Sequence, residues 1–151
     1  MSYATYNSFT SRVGPRTLAQ LTAETGTTPS NSVITAQLLT ASRKIDLILS
    51  TRYVVPVTGP VGTLPQLAVL EEDITLWMLW ADFRGIGDQE SAAAAAKFGY
   101  DEAMKILNAI ADGDRDLPGV ALRPADTSTT TGAVGWTSNA VVYTSTGFRG
   151  F

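Results

Sequence analysis

The chain has 151 residues, a formal net charge of −3 and a hydrophobic fraction of 44%, which fits one domain with its own core. It contains no cysteine and no histidine, which excludes disulfides, thiolate or imidazole metal sites and Ser-His-Asp catalysis. No basic cluster suited to wrapping nucleic acid occurs, no apolar run approaches the ~18 residues of a membrane span, and no signal-peptide pattern opens the sequence. We therefore expect a non-enzymatic protein of cytoplasmic origin, without cofactor or metal.

Two short helices are predicted at the start of the chain. Thr5 suits the N-cap of a helix that runs to about residue 12, and Gly14 suits the position after its end. Pro15 favours the first turn of a second helix over 15–24, which is followed by turn-forming residues.

Three long helices follow, at about 32–50, 63–84 and 89–111, and each carries apolar residues at spacings of three and four. The stripes are Ile34, Leu38, Ala41, Ile45 and Ile48; Leu67, Leu70, Ile74, Trp77 and Ala81; and Tyr100, Ala103, Leu107 and Ile110. Leu39, Leu47 and Leu49 widen the apolar sector of the first long helix. That helix is therefore expected to be buried on two sides.

The composition changes after residue 116, where Ser, Thr and Gly dominate and no helical period continues. The prediction is a mainly α fold: a small bundle of three long and two short helices over 1–116, with an extended, partly β C-terminal arm over 117–151. The arm is either disordered or anchored on a neighbour, and anchoring is favoured because it carries large aromatic rings. The anchoring candidates are Trp136, Tyr143, Phe148, Arg149 and Phe151.

An acidic triplet, Glu71-Glu72-Asp73, lies in the second long helix. Neighbouring side chains of a helix point about 100° apart, so the three carboxylates cannot converge on one atom. A solvated face or ion pairs between subunits is the favoured interpretation. Lining of a channel is the alternative, and carboxylate catalysis is a remote third.

The stretch "ASRKIDLILSTRYVVPV" at 41–57 leaves three residues without a core explanation: Asp46, Arg52 and Tyr53. Asp46 and Arg52 are six residues apart, too far to pair along one helix. They could meet only if the chain turns back or across a subunit boundary. We expect Arg52 to hold this corner by bonding to helix-end carbonyls or an acid, with Tyr53 packed beneath it.

Three stretches, "YATYNSFTSRVG", "ASRKIDLILSTRYVVPV" and "YDEAMKILNAIADGD", together resemble the Mu-like bacteriophage neck proteins, which are head–tail connector (head-completion or adaptor) proteins. The matching positions include Ile45, Asp46, Leu49, Arg52, Tyr53 and Pro56. The resemblance covers about residues 3–117. The chain departs from the family pattern in the Ser/Thr-rich loop at 25–32, the long loop at 54–64 and the alanine run at 91–97.

The resemblance implies a helical bundle that assembles as a dodecameric ring in the virion neck, between head and tail, after synthesis in the bacterial host cytoplasm. Its expected partners are other copies of itself, the portal protein, the next neck or tail protein, and genomic DNA that passes through the channel without sequence-specific binding. No membrane is expected among its partners. The rival interpretations are another small phage assembly factor, either a tail-completion protein or a monomeric chaperone-like binder, and, remotely, an enzyme that uses carboxylates.

Overall fold

The structure is a computed structural model that describes residues 1–22, 28–59, 64–82 and 90–124. Its helices are α1 (Tyr6–Val13), α2 (Pro15–Thr22), α3 (Asn31–Leu49), α4 (Leu64–Asp82) and α5 (Glu90–Asp112). The prediction of a mainly α bundle with three long and two short helices is therefore confirmed. No helix in the described ranges is both long and apolar enough to cross a membrane.

The ends of α1 follow the predicted capping residues. The Thr5 hydroxyl accepts a hydrogen bond from the backbone N–H of Ser8, and the Ser8 hydroxyl accepts one from the backbone N–H of Thr5. This reciprocal arrangement satisfies two N–H groups at the start of the helix. Gly14 ends α1 with φ of 93°, a conformation that is costly for residues with a Cβ atom, and Pro15 then begins α2.

Helix α4 packs against both α3 and α5, and α3 also contacts α5. Two hydrophobic clusters result from this packing. One lies towards the end of α3 and contains Ala41, Ile45, Leu49, Tyr53, Val57, Leu67, Leu70, Ile74, Ala103, Leu107, Ile110 and Leu117. The other joins α1 and α2 to the long helices through Ala4, Phe9, Leu18, Leu21, Ile34, Leu38, Leu79, Trp80 and Ala96.

The predicted stripes are correct with a few exceptions. Ile48, Trp77 and Tyr100 are only partly buried, and Ala81 at the end of α4 is exposed. Leu49, expected to widen the apolar sector of α3, is fully buried. Leu47 is 74% exposed and Leu39 is 37% exposed, so the expectation that these two residues widen the buried sector is wrong. Leu47 lies two residues from both Ile45 and Leu49, which turns it about 200° away from each on a helix.

After α5 the chain turns at Gly113, whose φ is also 93°, and runs back along the corner that follows α3. Leu117 is only 5% exposed and belongs to the first cluster. Tyr53 and Leu122 form an isolated antiparallel bridge. The first residues of the predicted arm therefore pack on the helical body, whereas the remainder of the arm, residues 125–151, lies outside the described residues.

Candidate functional site

The corner after α3 is formed by a tight turn of the backbone. The N–H groups of Arg52 and Tyr53 both donate to the carbonyl oxygen of Leu49, at 3.0 and 2.8 Å. The hydroxyls of Ser50 and Thr51 donate to carbonyl oxygens one turn earlier in α3. The last carbonyls of the helix are thereby satisfied locally, and the chain changes direction within a few residues.

Arg52 ties this corner to the end of α5. Its guanidinium group donates to the carbonyl oxygens of Ile110 and Arg115, at 3.2 and 3.0 Å, and to the carboxylate of Asp116, at 2.6 Å. A positive charge beside the last carbonyls of a helix is also favoured by the helix dipole. The expected contacts of Arg52 with helix-end carbonyls and with an acid are therefore present in the structure.

Tyr53 lies beneath Arg52 and is almost completely buried, at 1% exposure. The guanidinium carbon of Arg52 is 5.4 Å from the centre of the tyrosine ring. The Tyr53 hydroxyl accepts a hydrogen bond from the backbone N–H of Leu117, at 3.1 Å. On either side of Tyr53, the backbone exchanges two hydrogen bonds with the arm: Val54 N–H to the Ala121 carbonyl at 3.1 Å, and Arg123 N–H to the Arg52 carbonyl at 2.8 Å.

Asp46 does not meet Arg52 within the chain. Its carboxylate accepts a hydrogen bond from the hydroxyl of Tyr3, and the same hydroxyl accepts one from the backbone N–H of Val57, at 2.9 Å. Burial raises the pKa of Tyr3, and the bond to Asp46 raises it further. Tyr3 thus links α3 to the segment after the corner. Tyr3 was not singled out from the sequence, because nothing near it in sequence indicates a partner 43 residues away.

Glu71 holds the first residues of the chain against α4. It is fully buried, and it accepts hydrogen bonds from the Ser2 hydroxyl and from the backbone N–H groups of Tyr3 and Ala4, at 2.5, 2.6 and 2.8 Å. Burial raises the pKa of Glu71, whereas the three donated bonds act in the opposite direction. This carboxylate is an acceptor for backbone groups that would otherwise be unpaired.

Glu72 and Asp73 attach α1 to α4. Glu72 is 6% exposed and accepts hydrogen bonds from the Ser8 hydroxyl at 2.8 Å and from Arg12 at 3.1 Å. Asp73 binds the other terminal nitrogen of Arg12 at 2.5 Å. The expectation of a solvated acidic face is therefore wrong for Glu71 and Glu72. Their partners lie in α1 and in the segment before it, 60 or more residues earlier in the chain, so the triplet alone could not indicate their burial.

The described part of the chain holds no group of three or more metal-ligating side chains. The polar side chains of the corner and the three acids of the triplet instead make hydrogen bonds and ion pairs with other groups of the same chain. Together these contacts bind segment 1–5, the end of α3, the end of α5 and the base of the arm into one unit. The anchoring candidates Trp136, Tyr143, Phe148, Arg149 and Phe151 lie outside the described residues.

Large apolar side chains remain exposed on other surfaces. They are Met1, Val33, Leu39, Leu47, Val54, Val69, Phe98 and Leu122. Leu47 on α3 and Phe98 on α5 are the most exposed of those that lie in helices, at 74% and 69%. Apolar residues exposed singly are common on protein surfaces; these two stand out because they lie on different helices whose opposite faces are buried in the bundle.

Comparison with curated protein sequences gives no match. The family described as Bacteriophage Mu, Gp36 matches residues 3–135. That match begins at Tyr3, includes the corner at Arg52 and Tyr53, and continues through α5 into the arm. Because the match spans most of its length, the chain belongs to the Bacteriophage Mu Gp36 family of phage proteins.

Proposed function

We propose that this phage structural or assembly protein is a head–tail connector of a tailed phage. In this role, copies of the chain form a dodecameric ring beneath the portal protein, extend the DNA channel and present a docking surface to the next neck or tail protein. Membership of the Mu Gp36 family gives the phage context. The observation that carries the connector role is the pair of exposed apolar residues, Leu47 and Phe98, on two different helices.

Two separate apolar surfaces on one chain favour a ring. A closed ring requires head-to-tail contacts, in which one face of a subunit binds a different face of the next. Helices α3 and α5 each bury one face in the bundle and leave a large apolar residue on the other. A monomeric binder with a single partner needs only one such surface.

The chemistry of the corner supports a scaffold rather than a catalyst. The carboxylates that could supply acid–base chemistry at the corner and beside it, Asp46 and Glu71, both bind partners within the same chain. A general acid or base must instead reach a substrate atom within hydrogen-bond distance. Together with Arg52, these residues fix the relative positions of the helix ends and of the arm, which is what an assembly subunit requires.

The charge of the chain fits a channel through which DNA slides. With a net charge of −3 the protein has no excess of cations to neutralise phosphates, and strong binding of DNA depends on such neutralisation.

The base of the arm is fixed on the body by the hydrogen bonds at residues 121 and 123. We assign the residues beyond 124 to docking on the portal or on an adjacent subunit.

Native mass spectrometry and negative-stain electron microscopy of the purified chain, with and without portal protein, test this function. The connector role predicts rings, at least in the presence of portal. Persistent monomers that do not bind portal would reject it. Monomers that bind a tail component would instead support a tail-completion or chaperone-like role.

A further inference from the structure

Helices α3 and α5 each carry a stripe of five outward-facing residues. The spacing along the α3 stripe, taken from the C-terminal end of the helix, equals the spacing along the α5 stripe, taken from its N-terminal end. On α3 the exposed stripe is Leu47, Arg43, Thr40, Ala36 and Val33, at spacings of four, three, four and three. On α5 the matching stripe is Phe98, Glu102, Lys105, Ala109 and Asp112, with the same spacings in the forward direction. Of these ten residues Ala109 is partly buried and the others are exposed.

We propose that α3 of one subunit packs antiparallel against α5 of the next through these two stripes. The inference rests on the proposed connector function and names the surfaces that close the ring. Alternating spacings of three and four are the pattern by which two helices pack side by side at a small crossing angle. One register aligns all five pairs: it places Leu47 opposite Phe98.

The charges agree with this register. Arg43 lies opposite Glu102, and within the described residues Arg43 makes no ion pair of its own. The ion pair of Glu102 with Lys105 of its own helix is loose, at 3.7 Å, with both side chains well exposed. An arginine from the neighbouring subunit can therefore bind Glu102 without breaking a strong contact. Lys105 itself lies opposite the neutral Thr40.

The sizes of the facing side chains also fit this register. Leu47 and Phe98, the two large apolar residues, lie at one end of the contact and cover each other. Ala36 and Ala109 lie opposite each other further along, where small side chains let two helix backbones approach closely. At the other end, Asp112 faces the first turn of α3, where Ser30 makes no side-chain capping hydrogen bond. An acidic group near the start of a helix is electrostatically favourable.

The contact is heterologous, since α3 and α5 present different surfaces. A subunit whose α3 is covered by one neighbour still offers its α5 to another, so the association continues until the ring closes. This property separates the proposal from a two-fold dimer, in which one surface binds its own copy.

Cysteine cross-linking tests the contact without background, because the chain has no cysteine. A variant with both Leu47→Cys and Phe98→Cys is oxidised mildly and separated on a non-reducing gel. The proposal predicts a ladder of covalent multimers that collapses on reduction. Leu47→Cys alone and Phe98→Cys alone should stay monomeric on the gel, and an equal mixture of the two should stop at dimers.

The register has its own control. Thr40→Cys with Lys105→Cys, an in-register pair, should give the same ladder. Leu47→Cys with Lys105→Cys is displaced by two helical turns, about 10 Å along the axis, and should give none. Dimers from Leu47→Cys alone, or a ladder only from the displaced pair, would overturn the proposed contact.

Charge reversal gives an independent measurement. Arg43→Glu should weaken subunit association about tenfold, as measured by analytical ultracentrifugation, because it places two acids opposite each other. Adding Glu102→Arg in the same chain should restore most of the affinity. Both residues are exposed, and circular dichroism of each variant verifies the fold. Rings that form without either cross-links or charge rescue overturn this contact but keep the connector function, whereas a chain that never oligomerises, with or without portal, overturns both.

Discussion

The hydroxyl of Tyr53 accepts a hydrogen bond from the backbone N–H of Leu117, at 3.1 Å, across a separation of 64 residues. Both residues are buried in the same hydrophobic cluster. This bond attaches the base of the arm to the corner after α3. Because both residues are buried, the amide of Leu117 depends on this oxygen for its hydrogen bond.

Substitution of Tyr53 by phenylalanine should therefore lower the free energy of unfolding by about 1–2 kcal/mol, because it leaves a buried N–H without an acceptor. Urea denaturation measures the change. Tyr100→Phe is the matched control, since the Tyr100 hydroxyl accepts only a long bond, 3.4 Å, from the exposed Lys44. Equal losses in the two variants would show that the bond to Leu117 contributes nothing.

Arg52→Ala should destabilise the chain by about 2 kcal/mol, and most of this loss should come from the carbonyls of Ile110 and Arg115. The ion pair with Asp116 contributes little, because the Asp116 side chain is 76% exposed and solvent screens the interaction. Asp116→Ala is therefore expected to leave the stability nearly unchanged. Arg52→Lys should lose less stability than Arg52→Ala but more than Asp116→Ala, since an ammonium group cannot reproduce the planar set of donors. Thermal unfolding followed by circular dichroism ranks the variants.

The exposed Arg16 supplies the control for loss of an arginine. Arg16→Ala should leave the melting temperature unchanged. A melting temperature that falls as far in Asp116→Ala as in Arg52→Ala would place the stabilisation in the ion pair instead of in the carbonyls.

Glu71 should stabilise the folded chain more at low pH than at neutral pH, which is the reverse of the usual behaviour of an acidic side chain. Burial raises its pKa above the usual value of 4.5, so the folded chain binds this proton more tightly than the unfolded chain does. The contribution of Glu71 to stability is therefore greatest below pH 4.5 and declines as the pH rises through the folded-state pKa. Urea denaturation of the wild type and of Glu71→Gln, at pH 4 and at pH 7, isolates this contribution.

Glu71→Gln should be at least as stable as the wild type at pH 7. Its carbonyl oxygen can accept from Tyr3 and Ala4, and its amide can donate to the Ser2 hydroxyl, without burial of a charge. Glu71→Ala, which removes every acceptor, should lose about 2 kcal/mol, a loss limited by release of residues 1–4 into water. The interpretation fails if the glutamine variant is as unstable as the alanine variant.

Two glycines should respond oppositely to alanine. Gly99 lies within α5, where a Cβ atom would be 3.5 Å from Asp73, an ordinary contact, so Gly99→Ala should stabilise the chain by about 1 kcal/mol through helix propensity. Gly113 has φ of 93°, and Gly113→Ala should cost about 1–2 kcal/mol. Thermal unfolding of the two variants gives the sign of each change in melting temperature. A change in the same direction for both variants would contradict the backbone explanation.

The helices could be predicted from the sequence because their determinants are local. Thr5, Gly14 and Pro15 act on their immediate neighbours, and the apolar spacing of α3 and α5 requires only the helical period. Hydrophobicity alone wrongly assigns Leu47 to the buried sector, because it does not say on which side of a helix a residue lies. Its position relative to Ile45 and Leu49 contained that information.

The corner could be predicted in part. Arg52 follows a helix and precedes a proline-containing loop, so its binding to nearby carbonyls and an acid was a reasonable expectation. The partner of Asp46 and the burial of Glu71 could not be inferred, because both depend on where the chain places Tyr3 and Ser2 in three dimensions. Contacts between residues this far apart leave no periodic signal in one sequence.

The arrangement at the base of the arm also determines how the molecule transmits mechanical force. The strand-like pairing of residues 52–54 with 121–123 lies directly beside the three hydrogen bonds of Arg52 to the end of α5 and to the turn that follows it. We expect tension on the arm to pass first into this pairing and then, through Arg52 and Tyr53, into α3 and α5 together. A pull on residues beyond 124 is thus spread over two long helices, and the corner resists it as a unit.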